Sequence, residues 1–469
     1  MVTPQRRNSL LSTQTSLPRY KGQGDSPQNS TVSDMTSKNH RHLPKSLLTI
    51  GLALIMPACN SSSSDGDSPA PDDPIAPPGT PPGSPVNVHV VSGDDDSSDV
   101  QNTISWALDP DVTSYTVYWD NAPGVTDASS AVVPAVQGSR HIVHSGVDVV
   151  AGSTYYYRVQ ATSADGDSNL SAEVAGTPQL SITNNQLNDV AWNGADILVA
   201  VGDSGVILAS PNGTADAWTN VAAPDVPASL EGVTWESVNS QFLVVGAADT
   251  VLTGDGVTWT REDLGDLAGS RNLKDAAWLG DRYIAVGNNG AILTSNIDGS
   301  QWTLQDAGAA LANTSLNAVA YDTARIVVVG TNGTILTSAD GVAWDLQAQP
   351  TNNDLNDITW DGNQFVAVGS NDTVLTSNDG LTWTSHLPGT ADINFVAVTQ
   401  WDSGLPATPV IAAVGSSGTF VVGPNNDPGF IIRTGTTRQL GGLTQIDDGA
   451  GVSYFVITGS DGTVLTAQY

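Results

Sequence analysis

The chain has 469 residues, more than one hydrophobic core usually supports, so two or more domains are expected. It carries 16 Lys plus Arg against 48 Asp plus Glu, and from residue 59 onward 9 against 46, a net of about −37; so acidic a surface repels phosphate backbones and argues against nucleic-acid binding. A single cysteine excludes a disulfide framework and any Cys-based zinc site.

Residues 1–58 read as a leader. Lys38, Arg41 and Lys45 precede the uncharged run from Ser46 to Met56, and Pro57-Ala58-Cys59 follows; residues 1–34 are polar and aperiodic, so Met35 is an alternative start. A basic region, a short apolar stretch and a small residue before the cut are the parts of a secretory signal, too short to span a membrane. Ending in Ala58-Cys59, this segment resembles a bacterial lipoprotein signal. The resemblance implies removal of everything before Cys59 and lipid on its sulfur and new amine, which suffices for stable anchoring. With Asn60 next in sequence it also implies sorting to the outer membrane, facing the periplasm or the cell surface. Residues 59–84 are rich in Ser, Pro, Gly and Asp, with little apolar side chain to offset ordering entropy, and read as a disordered tether.

Residues 85–178 read as a separate all-β unit, with alternating strands at 103–106, 114–119 and 154–161 bounded by Pro and Gly turns. Trp106, Tyr115 and Val117 and the stretch Gly152-Ser-Thr-Tyr-Tyr-Tyr-Arg-Val-Gln-Ala161 resemble a fibronectin type III sandwich, which implies that Tyr155 is its corner tyrosine. No Arg-Gly-Asp is present, and a spacer role is expected.

Residues 179–469 hold a unit written seven times, opening at Leu187, Leu230, Leu273, Leu316, Leu355, Ile393 and Leu443. Each copy has a strand with an apolar residue leading toward Trp or Tyr, a V-x-V-G strand, a tight turn and an I-L-T-S strand. A four-stranded unit at about 40 residues cannot bury both faces alone, which predicts a seven-bladed β-propeller in an all-β chain. Five copies join their second and third strands through G-x-x-G, beginning at Gly202, Gly287, Gly330, Gly415 and Gly459; the other two end that slot in Asp249 and Asp372. Such turns require positive φ. The last copy stops after its third strand, and Leu180-Ser-Ile-Thr183 is expected to supply the missing fourth.

Four copies end in a polar turn feeding a tryptophan: Asp255-Gly256 with Trp259, Asp298-Gly299 with Trp302, Asp340-Gly341 with Trp344, and Asp379-Gly380 with Trp383. The first copy keeps Asn212-Gly213 and Trp218. The carboxylate is expected to hold backbone N–H groups while the indole packs beside the next strand. These tails resemble a shortened Asp-box of sialidase-type (BNR-like) repeats. The whole of 187–469 is also similar to the propeller of photosystem II stability and assembly factors, which use a basic patch; here 7 Lys plus Arg stand against 30 Asp plus Glu, so the photosynthetic role does not follow.

Chemistry is sparse. Gly202-Asp-Ser-Gly205 spells the G-D-S-G of trypsin-like proteases, but the same slot elsewhere reads G-N-N-G and G-T-N-G, so it reads as a turn. His386 is the only propeller histidine and offers no triad or metal set. A sialidase-like site would need three converging arginines, and Arg261, Arg271, Arg282, Arg325, Arg433 and Arg438 show no recognisable spacing. Asp94-Asp95-Asp96 and Asp447-Asp448 lack EF-hand spacing and read as solvated turns rather than calcium sites. Trp192, Trp235, Trp278, Trp360 and Tyr321 recur in one slot and read as inter-blade packing. No catalytic residue, metal or cofactor is expected. The sequence reads as a monomeric, membrane-tethered envelope protein whose propeller binds an envelope or extracellular protein or a glycan. A glycosidase-like enzyme and an assembly factor for an envelope complex stand as alternatives.

Overall fold

The computed structural model describes residues 79–94, 99–136, 139–211, 218–222, 226, 228–264, 271–386, 393–401, 410–424, 430–447 and 453–468. The leader, Cys59, the tether to residue 78, Asn212, Gly213, Asp95, Asp96 and Asp448 lie outside them. The described residues belong to one compact unit.

Eight strands precede the repeats: β1 (His89–Asp94), β2 (Val100–Ser105), β3 (Ser114–Asp120), β4 (Ser130–Val136), β5 (His141–Ser145), β6 (Tyr155–Ser163), β7 (Gly166–Asp167) and β8 (Val174–Gly176). One sheet runs β1-β2-β5; the other runs β4-β3-β6, with β7 and β8 both paired to β6. Their apolar faces meet over Val90, Ile104, Trp106, Tyr115, Val117 and Tyr157. Period-two alternation is plain in β6, where Tyr155, Tyr157, Val159 and Ala161 are buried between partly exposed neighbours. The Tyr155 hydroxyl donates to the Asp148 carbonyl and accepts from the Val150 amide, each at 2.9 Å, pinning the turn ahead of β6.

From Leu187 the chain builds a seven-bladed propeller. Six four-stranded antiparallel sheets follow in chain order, and a seventh starts at Leu440. In every blade the leading apolar residue lies opposite the glycine that ends the second strand, as in Leu187 with Gly202 and Leu355 with Gly369. That register places Phe395 opposite Gly415 and Leu440 opposite Gly459. The sixth and seventh copies therefore open at Phe395 and Leu440, not at Ile393 and Leu443. Two glycines, Gly441 and Gly442, sit in the bulge of blade 7 and push Leu443 on to face Ile457.

The second strands are nearly all apolar because both of their faces are covered. Within Leu198–Gly202, Leu198 and Ala200 pack toward blade 7, while Val199 and Val201 pack toward blade 2. Seven buried clusters result among the described residues, one at each blade boundary; the last joins Leu187 and Val190 of blade 1 to Ile446 and Val456 of blade 7 and closes the ring. Trp235, Trp278 and Trp360 also stack within their own blades, on Phe242, Tyr283 and Phe365, at centroid separations of 4.6, 4.8 and 4.7 Å.

The tight turns have the expected positive φ, one residue later than the pattern suggests. Ser204 and Gly205 (φ 61° and 74°) form the centre of a type I′ turn closed by the Val206 amide on the Asp203 carbonyl at 3.3 Å. In the two Asp copies, Asp249 and Asp372 take the glycine's left-handed conformation and use their carboxylates on the connector to the next blade. Asp249 accepts from the Arg271 guanidinium at 2.9 Å, and Asp372 accepts from the Ile393 amide at 2.9 Å.

Ring closure departs from expectation. Residues 180–183 form no strand; the fourth strand of blade 7 is β1, with Val90, Val91 and Ser92 opposite Gln468, Ala467 and Thr466. The 180–183 segment instead serves as the connector into blade 1: a side chain at Gly462 would strike the Thr183 carbonyl, and Ser181 bonds to Asp94. Asp94 is also corrected, since it is 1% exposed and ion-paired to Arg438 rather than solvated in a turn. Strand β1 thus belongs to both bodies, and a cut at residue 178 leaves the ring one strand short.

On the propeller side of β1, Gly93 lies so close to Leu465 that a Cβ would run into its Cδ2. Gly93→Val is expected to destabilise the protein by about 1–3 kcal/mol through overpacking. Thermal melting checks it against Gly83→Ala, whose position is open and whose melting temperature should not change.

Candidate functional site

The hub is built by one repeated irregularity. In the innermost strand of each blade the residue after the leading apolar one is left out of the pairing, so the strand bulges there and turns that side chain toward the axis. Asn188, Glu231, Lys274, Asn317, Asn356 and Val396 occupy this place in blades 1–6, and Gly441-Gly442 in blade 7. All of these except Gly442 frame a cavity of about 420 Å³ at one mouth of the axial channel, extended by Gln186, Ser370, Asn394 and Gln439 from the surrounding turns and connectors.

Carboxamides bridge the blades around this mouth. Asn188, Asn317 and Asn356 each donate to the leading-residue carbonyl of the following blade, on Leu230 at 2.8 Å, Leu355 at 2.8 Å and Phe395 at 2.7 Å. Lys274 lies 3.8 Å from Glu231.

Beneath them sit three carboxylates, one in every second blade. Asp189 accepts the Val190 amide and, across the boundary, the Val233 amide of blade 2, both at 2.8 Å. Asp275 does the same with Ala276 (2.7 Å) and Val319 of blade 4 (2.8 Å). Asp357 does so with Ile358 and Val398 of blade 6, both at 2.7 Å. Each carboxylate is a staple to the next blade. All three are half-buried and line the cavity, and desolvation by the strands packed around them raises Asp189 to about 7 and Asp275 to about 6 against the pull of their N–H donors. Burial, with repulsion from Asp275, holds Asp357 well above the ordinary carboxylate value.

The Asp-box-like tails lie apart from the hub, in the turns between third and outer strands. Asp255 accepts from the amides of Val257 and Thr258, Asp340 from those of Val342 and Ala343, and Asp379 from those of Leu381 and Thr382, at 2.7–2.9 Å. Asp298 accepts from the Ser300 amide at 3.0 Å and hydroxyl at 2.6 Å. These donors hold all four carboxyls below their usual range. Gly256 packs against Ile197 and Val199 of the preceding blade, so the turn wedges into a blade boundary. Trp302 and Trp383 donate to the carbonyls of Gly299 (2.7 Å) and Gly380 (3.3 Å), whereas the indole N–H groups of Trp259 and Trp344 have no partner.

The remaining sequence candidates are dispersed. Ser204 is the centre of a turn, and Asp203 beside it accepts from the Ser229 hydroxyl at 2.7 Å. His386 bonds to Thr376 on an outer strand. Arg271, Arg282 and Arg438 pair with Asp249, Asp281 and Asp94 in three separate places. Among the described residues no group of three His, Cys, Asp or Glu is placed to hold a metal ion. Sequence reasoning passed over the hub carboxylates, although Leu-x-Asp recurs in copies 1, 3 and 5.

No protein-family model and no curated protein matches the chain. Among solved structures it is similar to YCF48 bound to a D1 peptide, at 15% identity and a TM-score of 0.48, covering 62% of this chain and 93% of that one. It is similar to YCF48 from Cyanidioschyzon merolae at 15% identity and a TM-score of 0.47, covering 61% and 96%. The WD40 propeller domain of Doa1 aligns at 11% identity and a TM-score of 0.49, covering 61% and 93%.

The two acidic sets respond to pH in opposite senses. Folding favours protonation of Asp189, Asp275 and Asp357, so their contribution to stability is fully present below about pH 4; that of Asp275 and Asp189 is lost as pH rises through about 6 and about 7, and that of Asp357 as pH rises through its own raised value. The carboxyls of the outer Asp-Gly turns contribute above the usual carboxylate value and lose that contribution as pH falls below it. In urea unfolding at pH 8, 6.5 and 5, the advantage of the natural protein over Asp275→Ala is expected to grow as pH falls. A pH-independent difference would show an ordinary carboxyl.

Proposed function

We propose that the chain is an exported, lipid-anchored protein of a bacterial envelope whose propeller is a non-catalytic binding module, with the axial mouth as its ligand site. The observation that carries this reading is the mouth itself: a cavity of about 420 Å³ lined by carboxamides, carboxylates and one lysine. Among the described residues none that lines it is His, Cys or Arg. Asn356 gives one N–H to the Phe395 carbonyl and keeps its oxygen and second N–H for a ligand. Such groups suit the hydroxyls of a glycan or the backbone of a protein segment, and they hold neither a nucleophile with its base nor a metal set.

The two-sheet unit ahead of the ring is proposed to be a fibronectin type III module. Its strand order and the Tyr155 hydroxyl on the Asp148 carbonyl support that assignment. Cys59 is proposed as the lipid attachment site. Among the described residues no helix is long and apolar enough to cross a membrane.

The test is a glycan array and an envelope-protein pull-down with the complete chain carrying Cys59→Ser, followed by turnover assays on every hit. Binding without turnover, weakened about tenfold or more by Asn356→Ala in protein that still unfolds cooperatively, is the expected outcome. Saturable cleavage abolished by one carboxylate substitution would replace the binding module with an enzyme, and a single captured protein with no glycan hit would favour an assembly role. Separately, Cys59→Ser is expected to release the protein from membrane fractions; retention there would refute lipidation.

A further inference from the structure

Strand β1 is held by two unequal ladders. Six residue pairs join it to β2, from His89 opposite Ser105 to Asp94 opposite Val100, but only three join it to the third strand of blade 7, Val464–Gln468. Its side chains divide the same way: Val90 belongs to the core of the sandwich, and Val91 to the core between blades 6 and 7. If β1 leaves the ring it leaves with the sandwich.

At the far end of the strand one buried carboxylate ties three segments together. Asp94 accepts from Arg438 Nη1 at 3.0 Å and from the Ser181 hydroxyl at 2.8 Å and amide at 3.3 Å. Arg438 also donates to Thr463 at 3.2 Å, at the start of the third strand of blade 7. Arg438 immediately precedes Gln439, and Ser181 lies on the connector that reaches Gln186; both glutamines line the mouth. At the opposite end, the Ala175 amide of β8 donates to Gln468 Oε1 at 2.9 Å.

We infer that β1 is a detachable strap and that the ring opens first at the seam between blades 7 and 1, the one blade boundary that no connector between successive blades crosses, by release of β1 together with its sandwich; Val91 leaves the core between blades 6 and 7 as it goes. Asp94 is the latch. The chain before His89 enters β1 at the end where Val90 faces Gln468, so a pull from that side peels the short ladder pair by pair and meets the latch last. Opening the seam moves Gln186 and Gln439 apart, which makes the strap a control on the mouth; that link rests on the binding reading above, whereas the strap itself is read without a ligand.

Hydrogen exchange on the complete chain tests this. Amides of Val464–Gln468 and Leu187–Trp192 are expected to exchange about tenfold or more faster than those of the inner strands Leu316–Tyr321 and Leu355–Trp360. Asp94→Ala, which removes the buried carboxylate from Arg438 and leaves it only the exposed Asp461 at 3.7 Å, should speed the seam amides by about a further hundredfold while blades 4 and 5 change little. A uniform rise over all blades would overturn the inference. A second variant, Val91→Cys with Ala467→Cys, places two cysteines opposite each other across the short ladder. Once oxidised it should slow seam exchange to the level of blades 4 and 5, and unchanged seam exchange in the oxidised protein would equally overturn it. Neither outcome depends on whether the mouth binds anything.

Discussion

Everything in this ring depends on blades that are apolar on both faces. A second strand such as Phe365–Gly369, buried along its whole length, has no solvent side, so each sheet is stable only between two others. That requirement cannot be met by a row of seven blades, because the end blades would each expose a face. It can be met by a closed ring, and closure then falls on whatever completes the blade that the repeat leaves unfinished. Here that is β1, which the sandwich already holds in an extended conformation, so little entropy remains to be lost when it docks on blade 7.

The hub shows how neighbouring blades are kept in step. A carboxylate that reaches across a boundary to a backbone N–H needs room on the other side, and the structure supplies it by alternation. Asp189, Asp275 and Asp357 stand in blades 1, 3 and 5, while Gly232, Ala318 and Ala397 fill the equivalent places in blades 2, 4 and 6. Low-dielectric surroundings strengthen each of these bonds and also make the charge costly, which is the origin of the raised carboxyls. The outer Asp-Gly turns solve the same problem without that conflict, since their carboxylates satisfy backbone donors in contact with water.

The ring was legible because its signals are local. An apolar run ending in glycine, a turn that needs positive φ and a second apolar run lie within about 15 residues, and the copies reinforce one another. What the sequence hid is non-local. His89–Asp94 reads as an opening sandwich strand, and nothing in its side chains says that its other edge is paired some 370 residues later. Asp94 looked like a solvated turn residue because its partner Arg438 lies 344 positions away. The hub carboxylates were visible as Leu-x-Asp, but their role required knowing that the middle residue bulges, which turns the aspartate toward the next blade. The openings of copies six and seven were misplaced for a related reason: Ile393 and Leu443 are apolar residues near the leading position, and only the pairing with Gly415 and Gly459 identifies Phe395 and Leu440.

An odd number of blades cannot sustain a strict alternation of aspartate and small residue. Starting from Asp189 the pattern holds through Ala397, and blade 7 must then break it; the chain places Gly441 and Gly442 there, with Gly442 so close to the Asp189 backbone that a Cβ would lie 2.6 Å from its Cα. No carboxylate staple therefore joins blade 7 to blade 1 across the hub, as none joins blade 2 to 3, 4 to 5 or 6 to 7, and blade 7 is the one blade that such a staple holds on neither side. The same blade is the one completed by a borrowed strand, whose Val91 packs toward blade 6. Two independent features, missing staples at the axis and a shared strand at the rim, converge on one blade, and the buried Asp94–Arg438 pair fastens it.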